Sequence, residues 1–193
     1  MFVPHWADGF VSGVFPMVAE PFDREIVIYP DPRLRQVCAP FDRVDGELKD
    51  LAEQMLRAMH AGRGIGLAGP QVGVLGRIFV CNVTGQPQDN RVFVNPEIHD
   101  LSGSAEAEEG CLSIPDVIVT VRRARRCRMR ALDLDGRPVD LEAEDLLARV
   151  WQHECDHLDG GLIIDRMNGA DRIANKRLLG ELEARSGRRR SGR

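Results

Sequence analysis

A chain of 193 residues, 43% hydrophobic and 29% charged, suits one soluble globular domain with a real core. Its net charge of −4 gives no global sign of a nucleic-acid partner, and DNA binding is not expected. The N-terminus fits neither a membrane span nor a leader: Gly9 to Ala19 is too short to cross a bilayer, Pro16 interrupts it, and Asp8 and Glu20 precede the first Lys or Arg, Arg24.

A cytoplasmic protein without membrane contact is therefore expected. Residues 1–24 are rich in Gly, Pro and aromatics and lack periodicity, so they read as an N-terminal extension to a single domain over 25–185. The run Ile26-Val-Ile-Tyr-Pro-Asp-Pro32 reads as a short apolar strand stopped by prolines. Leu48, Leu51, Ala52, Met55, Leu56 and Met59 recur at helical spacing, which predicts a helix over 46–61 with Asp45 as N-cap and Gly62 as stop. A glycine-rich loop follows at 64–71, then strands at 78–83 and 91–96.

Cys127, Met129 and Ala131 alternate with Arg126, Arg128 and Arg130, the pattern of a half-solvated strand, and Asp135-Gly136 marks a hairpin after it. The six arginines between Arg122 and Arg130 are read as mostly a solvated strand face, with a nucleic-acid patch as the alternative. A second helix is expected from about 142 to 159, stopped by Gly160-Gly161. Its apolar arc is wide, so it should be buried. A third, amphipathic helix is expected over about 170–185, leading into a basic tail at 186–193. Strands flanking long helices without βαβ alternation indicate an α+β fold, with antiparallel strands packed around a central helix.

That central helix carries His153-Glu154-Cys155-Asp156-His157. Four helical residues turn the chain by about 400°, so the two histidines lie roughly 40° apart on one face and can reach one cation. Glu154 projects beside them, placed to hold a water without ligating. A buried hydrogen-bonded network would explain the histidines singly, but not their spacing together with Glu154. A third ligand is needed. Glu181 and Glu183 sit among Lys and Arg on the third helix and read as surface charges. Glu109-Gly-Cys-Leu-Ser113 offers a better donor in Cys111, with Gly110 allowing close approach. Cys155 lies about 200° around the helix from His153 and reads as packing. The five cysteines are odd in number and scattered, which argues against a disulfide framework.

Three segments together, Gly64-Ile-Gly-Leu-Ala-Gly-Pro-Gln71, Glu109-Gly-Cys-Leu-Ser113 and Gln152-His-Glu-Cys-Asp-His-Leu-Asp-Gly160, resemble peptide deformylase in order and spacing, over roughly residues 25–170. The resemblance implies a metal-dependent hydrolase that removes the formyl group from the N-terminal formyl-methionine of newly made polypeptides. It implies Cys111, His153 and His157 as metal ligands and Glu154 as acid/base. Gln71 (side-chain amide) and Leu112 (backbone N–H) would hold the oxyanion. Ile65 and Gly66 would contact substrate, and Glu109 and Val150 would line the methionine pocket, with Asp156 in a supporting role. A Cys-His-His set by itself suits zinc. The family implies Fe2+, with zinc or another divalent metal able to substitute.

Three departures from the family's usual pattern stand out. Gly69 replaces a usual Ala and should loosen the loop slightly. Ile118 replaces an Arg that many bacterial members use to hold the peptide. Residues 1–24 exceed the usual start. Rival readings are a zinc peptidase with a downstream third ligand and a non-catalytic ribosome-associated or RNA-binding protein. Five arginines in 185–193 favour docking to the ribosome through the tail, against a disordered solubilising tail.

Overall fold

The computed structural model of the chain describes residues 25–191, so the expected extension 1–24 lies outside the described residues. The elements are α1 (Gly46–Ala61), β1 (Gly66–Ala68), β2 (Ile78–Cys81), β3 (Arg91–Ser102), β4 (Ala105–Cys111), β5 (Ile114–Arg123), β6 (Arg126–Leu132), β7 (Pro138–Glu144), α2 (Asp145–Leu158) and α3 (Gly169–Ser191). Five strands form one antiparallel sheet in the order β1-β2-β3-β6-β7, and β4 and β5 form a separate antiparallel hairpin. The α+β arrangement around a central helix is the one expected.

The helix α1 forms where its apolar stripe and cap place it. Asp45 accepts from the Leu48 N–H at 3.1 Å, and Leu48, Ala52, Met55 and Met59 are buried. They pack on Ile78, Val80 and Val94 of the five-stranded sheet. The opposite face of that sheet, carrying Phe79, Cys81, Phe93, Cys127 and Met129, packs on Ala148, Trp151, Cys155 and Leu158 of α2. All four residues of β2 are buried, because each of its faces meets a helix. A third cluster joins Val117, Val119 and Val121 of β5 to Leu34, Leu162 and Ile163 of the connecting segments and to Leu182 of α3. The helix α2 thus carries the main sheet on one side and reaches the β4–β5 hairpin with the other.

Several expectations shift. Ile26–Pro32 is extended but forms no strand: Val27 N–H donates to Gln71 O and Tyr29 N–H to Ser113 O, each at 2.8 Å. Two different acceptor segments and two prolines without N–H groups leave no ladder to form. The strand after the glycine-rich loop ends at Cys81 rather than Val83, and β3 continues to Ser102 rather than stopping at Pro96. The helix α2 begins at Asp145, not near Glu142, because Glu142 and Glu144 are taken by the β7 ladder opposite Arg128 and Arg126. The helix α3 runs to Ser191, through most of the segment read as a tail; arginine is a good helix former and suits a helix C-terminus.

The alternation on β6 is as expected, with Cys127, Met129 and Ala131 buried and Arg126, Arg128 and Arg130 exposed. Arg123, however, departs from the solvated face assigned to it and is 4% exposed.

Candidate metal centre and active site

Three segments converge where α2 meets the end of the hairpin. His153 and His157 lie one turn apart on α2 with ring centroids 5.0 Å apart. Cys111 ends β4, and its Sγ lies 3.3 Å from His157 Nε2. One ligand atom from each of Cys111, His153 and His157 falls within 4.8 Å of the others, and all three residues are buried. Burial holds the His153 pKa down to about 4 and His157 well below its ordinary value, so both imidazoles are neutral and have a lone pair to give. Burial likewise pushes the Cys111 thiol up to about 11.

Glu154 is fully buried, neither carboxylate oxygen has a hydrogen-bond partner, and burial raises its pKa well above the usual carboxylate range. His157 Nδ1 is also buried and unpartnered. A soft sulfur donor, two neutral imidazoles and an orphaned buried carboxylate make a costly arrangement without a cation and the water it brings. The donor set fits a divalent metal.

Gln71 belongs to the same site rather than to an exposed loop. It lies in a short 3-10 turn, Gly69–Val72, and is 2% exposed. Its Oε1 accepts the Ala68 N–H at 2.8 Å, and because a backbone N–H can only donate, the amide NH2 must face the other way. There Nε2 donates to Ser113 Oγ at 3.2 Å and reaches Cys111 Sγ at 3.5 Å. Leu112 follows Cys111 in the hairpin turn, and its side chain covers Gly64, where an added Cβ would lie 2.7 Å from Leu112 Cδ1. Gly69 does not loosen the loop: a Cβ there would lie 2.7 Å from Gly76 O and 2.8 Å from Val74 O, so backbone fills the space.

Ile65 O accepts from Asn82 N–H at 2.9 Å, and Gly66 begins β1, the terminal strand of the five-stranded sheet. Such an edge leaves one row of backbone groups open to an added strand. Val150 is 1% exposed within the α2 core cluster, and Ile118 is 47% exposed.

Glu109 has a different place from the pocket lining expected of it. Its Oε2 accepts His153 Nδ1–H at 2.9 Å, Arg123 Nε and Nη2 donate to its two oxygens at 2.6 and 2.8 Å, and Arg149 Nη1 donates at 2.7 Å. Burial alone would raise its pKa, but the bonds from Arg123 and His153 hold it well below the usual carboxylate range. An ionised Glu109 fixes the tautomer of His153 and leaves the Nε2 lone pair free for a cation. Asp156 joins this network through Arg123 Nη1 at 2.9 Å and through Arg166.

Sequence reasoning missed Arg123 and Arg149. The signal for Arg123 was available, since it continues the inward phase of Val117, Val119 and Val121. Arg149 had none, being a lone cation on an apolar arc. The downstream alternatives for a third ligand are engaged elsewhere on α3: Glu181 pairs with Arg177, and Glu183 accepts from Tyr29 Oη. Cys155 is packed in the α2 core cluster, as expected.

Residues 23–172 match the model of the polypeptide deformylase family. The chain belongs to that family. A peptide deformylase of Alkalilimnicola ehrlichii is 47% identical over 165 residues, 85% of this chain and 92% of the relative, and one of Azotobacter vinelandii is 44% identical over 78% of this chain and 92% of the relative. Among solved structures, the Legionella pneumophila peptide deformylase superposes with a TM-score of 0.79 at 39% identity, over 86% of this chain and 98% of that one. A plant peptide deformylase gives 0.83 at 34% identity over 93% and 96%. This deformylase is therefore a metal-dependent hydrolase that removes the formyl group from the N-terminus of newly made polypeptides. Among the described residues, no helix is long and apolar enough to cross a membrane.

Proposed function

We propose that Cys111, His153 and His157 hold one ferrous ion, replaceable by zinc or another divalent metal, that Glu154 is the acid/base, and that Gln71 and the Leu112 N–H receive the oxyanion. The reading rests on one observation: the unpartnered Glu154 carboxylate is buried next to three ligand atoms that lie within 4.8 Å of one another. The bound cation supplies Lewis acidity, which makes a water more acidic and polarises a carbonyl.

The chain's own groups do the rest. Glu154 takes a proton from the attacking water as its oxygen adds to the formyl carbon, and later gives that proton to the leaving amine. A raised pKa suits a group that must accept and then release a proton near neutral pH. Gln71 Nε2, locked by the Ala68 and Ser113 bonds, donates to the oxygen on which negative charge grows, and the Leu112 N–H donates beside it. The carbon–nitrogen bond then breaks, releasing formate and a peptide with a free amino terminus. Gly66 at the sheet edge receives the peptide backbone as an added strand, with Ile65 beside it, and Val150 borders the methionine side chain.

The enzyme acts in the cytoplasm, and the five arginines of residues 185–193 bring it to ribosomal RNA where the substrate emerges. Salt-dependent co-sedimentation with ribosomes, reduced in a chain ending at Ala184, tests the docking; equal sedimentation of both chains removes it. The function itself is tested by formate release from formyl-Met-Ala-Ser under anaerobic conditions, with the unformylated peptide alongside. Formate from the first and no cleavage of the second are expected. Cleavage of the unformylated peptide would instead favour an internal peptidase.

A further inference from the structure

We propose that Arg149 is a positioning residue of the metal centre, joining the helix that carries both histidines to the hairpin that carries Cys111 and setting the orientation of Glu109 for His153. The proposal rests on the ligand assignment above. Arg149 stands on α2 four residues before His153, one turn away on the same face. Its guanidinium makes three bonds, all to the hairpin: Nη1 to Glu109 Oε1 at 2.7 Å and to Val121 O at 2.9 Å, and Nη2 to Ala105 O at 2.8 Å. These acceptors lie on both strands, β4 and β5. Arg149 is 8% exposed and Glu109 2%, so water competes little for these bonds.

The consequence follows from the geometry of one carboxylate. Glu109 gives Oε1 to Arg149 and Oε2 to His153, so two residues of a single helical face bracket it. Rotation of the carboxylate would break both bonds at once. Arg123 also binds Glu109, but it lies on the same hairpin, so that bond by itself does not join the carboxylate to the helix. A second link between hairpin and helix, from Arg123 to Asp156, comes three residues after His153, and the Asp156 side chain is 22% exposed and shared with Arg166. Arg149 is therefore the buried tie on the other side of His153. Cys111 is two residues beyond Glu109, so this tie also sets how far the thiol stands from the imidazoles. A lysine could supply the charge and one bond, but not a planar fork reaching a carboxylate and two carbonyls.

The test is zinc affinity of the metal-free full-length protein, measured by competition with a chromophoric chelator. Arg149→Met should weaken zinc binding about 10- to 100-fold, the range expected for a group that orients a metal-ligating histidine, and Arg149→Lys should recover part of the loss. With zinc saturating, kcat should fall while KM for the formyl peptide stays near the parent value. In a Glu109→Gln background, Arg149→Met should cost less than in the parent, because the part of its effect that passes through Glu109 is already lost. Zinc affinity unchanged in Arg149→Met, or weakened equally in both backgrounds, would overturn the proposal. Should Arg149→Met fail to fold, Arg149→Lys carries the same comparison in both backgrounds. Cys111→Ser is the control: if it binds zinc as tightly as the parent, the ligand assignment falls, and the proposal falls with it.

Discussion

On β6, Arg126, Arg128 and Arg130 meet Glu144 and Asp140 with their side chains about half exposed or more, whereas on β5 Arg123 meets Glu109 with both side chains 2% exposed. The residue types and bond lengths are similar. The surroundings are not. Pairs in open water compete with solvent and are screened by salt, so they contribute little. The buried pair has no solvent to return to, and removing one partner strands the other. The lesson is that the arginine-rich stretch contains two populations, and the one that matters to the site points inward.

The largest effects should come from the buried side. Cys111→Ala should lose the bound metal and the activity together, whereas Cys155→Ala, in the core cluster on the other side of α2, should keep both. Metal content of the purified variants decides it, and equal loss in both would remove the distinction. Glu154→Gln should keep the metal yet lower kcat by at least about 10²- to 10⁴-fold, with far less change in KM. Gln71→Ala should cost on the order of 10²- to 10³-fold in kcat, and Leu112→Ala less, since its N–H survives. Near-normal turnover of metal-loaded Glu154→Gln would take Glu154 out of the mechanism.

The two arginine populations can be compared directly by urea unfolding. Arg123→Met should destabilise by about 3–5 kcal/mol, because Glu109 is left buried with its charge less compensated. Arg128→Ala should cost under about 1 kcal/mol, and less still in high salt, so the difference should widen there. Equal losses would mean that burial does not separate the pairs.

A smaller effect appears with pH in the metal-free protein. Burial holds His153 at about 4 against an ordinary 6.5, so the unfolded chain takes a proton that the folded chain refuses. Its stabilising contribution is present in full above about pH 6.5 and is lost as pH falls towards 4, on the order of 3 kcal/mol. Glu109, held low, adds a loss in the same direction below the ordinary carboxylate range. Glu154 acts in the opposite sense, since its raised pKa favours the folded state as it becomes protonated. Urea midpoints between pH 7 and 4 in a Glu154→Gln background should therefore fall steadily. His157, lowered by the same burial, adds to the fall, and a flat profile would show that the two histidines are not buried as neutral imidazoles.

Much of this was legible in the chain itself. The apolar stripe and Asp45 cap of α1, the alternation of Cys127, Met129 and Ala131, and the turn at Asp135-Gly136 are local patterns, and local patterns survive into the structure. The hairpin β4–β5 was harder to read, because Ala105–Cys111 carries three glutamates and only alanines alternate with them, although Val117, Val119 and Val121 alternate on β5. The place of Glu109 was hidden for a related reason. Its partners are 14, 40 and 44 residues away in sequence, and nothing local tells a pocket-lining carboxylate from one bound to two arginines and a histidine.

By itself the sequence determined what one helix can present: two histidines one turn apart, a carboxylate beside them, and a cysteine pointing elsewhere, because helical geometry fixes where residues at such spacings project. It also determined that Cys111 was a donor of the right chemistry. Only the tertiary structure decided that Cys111 reaches the histidines, that Gln71 turns its amide towards the sulfur, and that Arg123 and Arg149 close on Glu109. Those contacts join segments far apart in the chain. They exist because the fold removes these groups from water together, leaving each to satisfy the others.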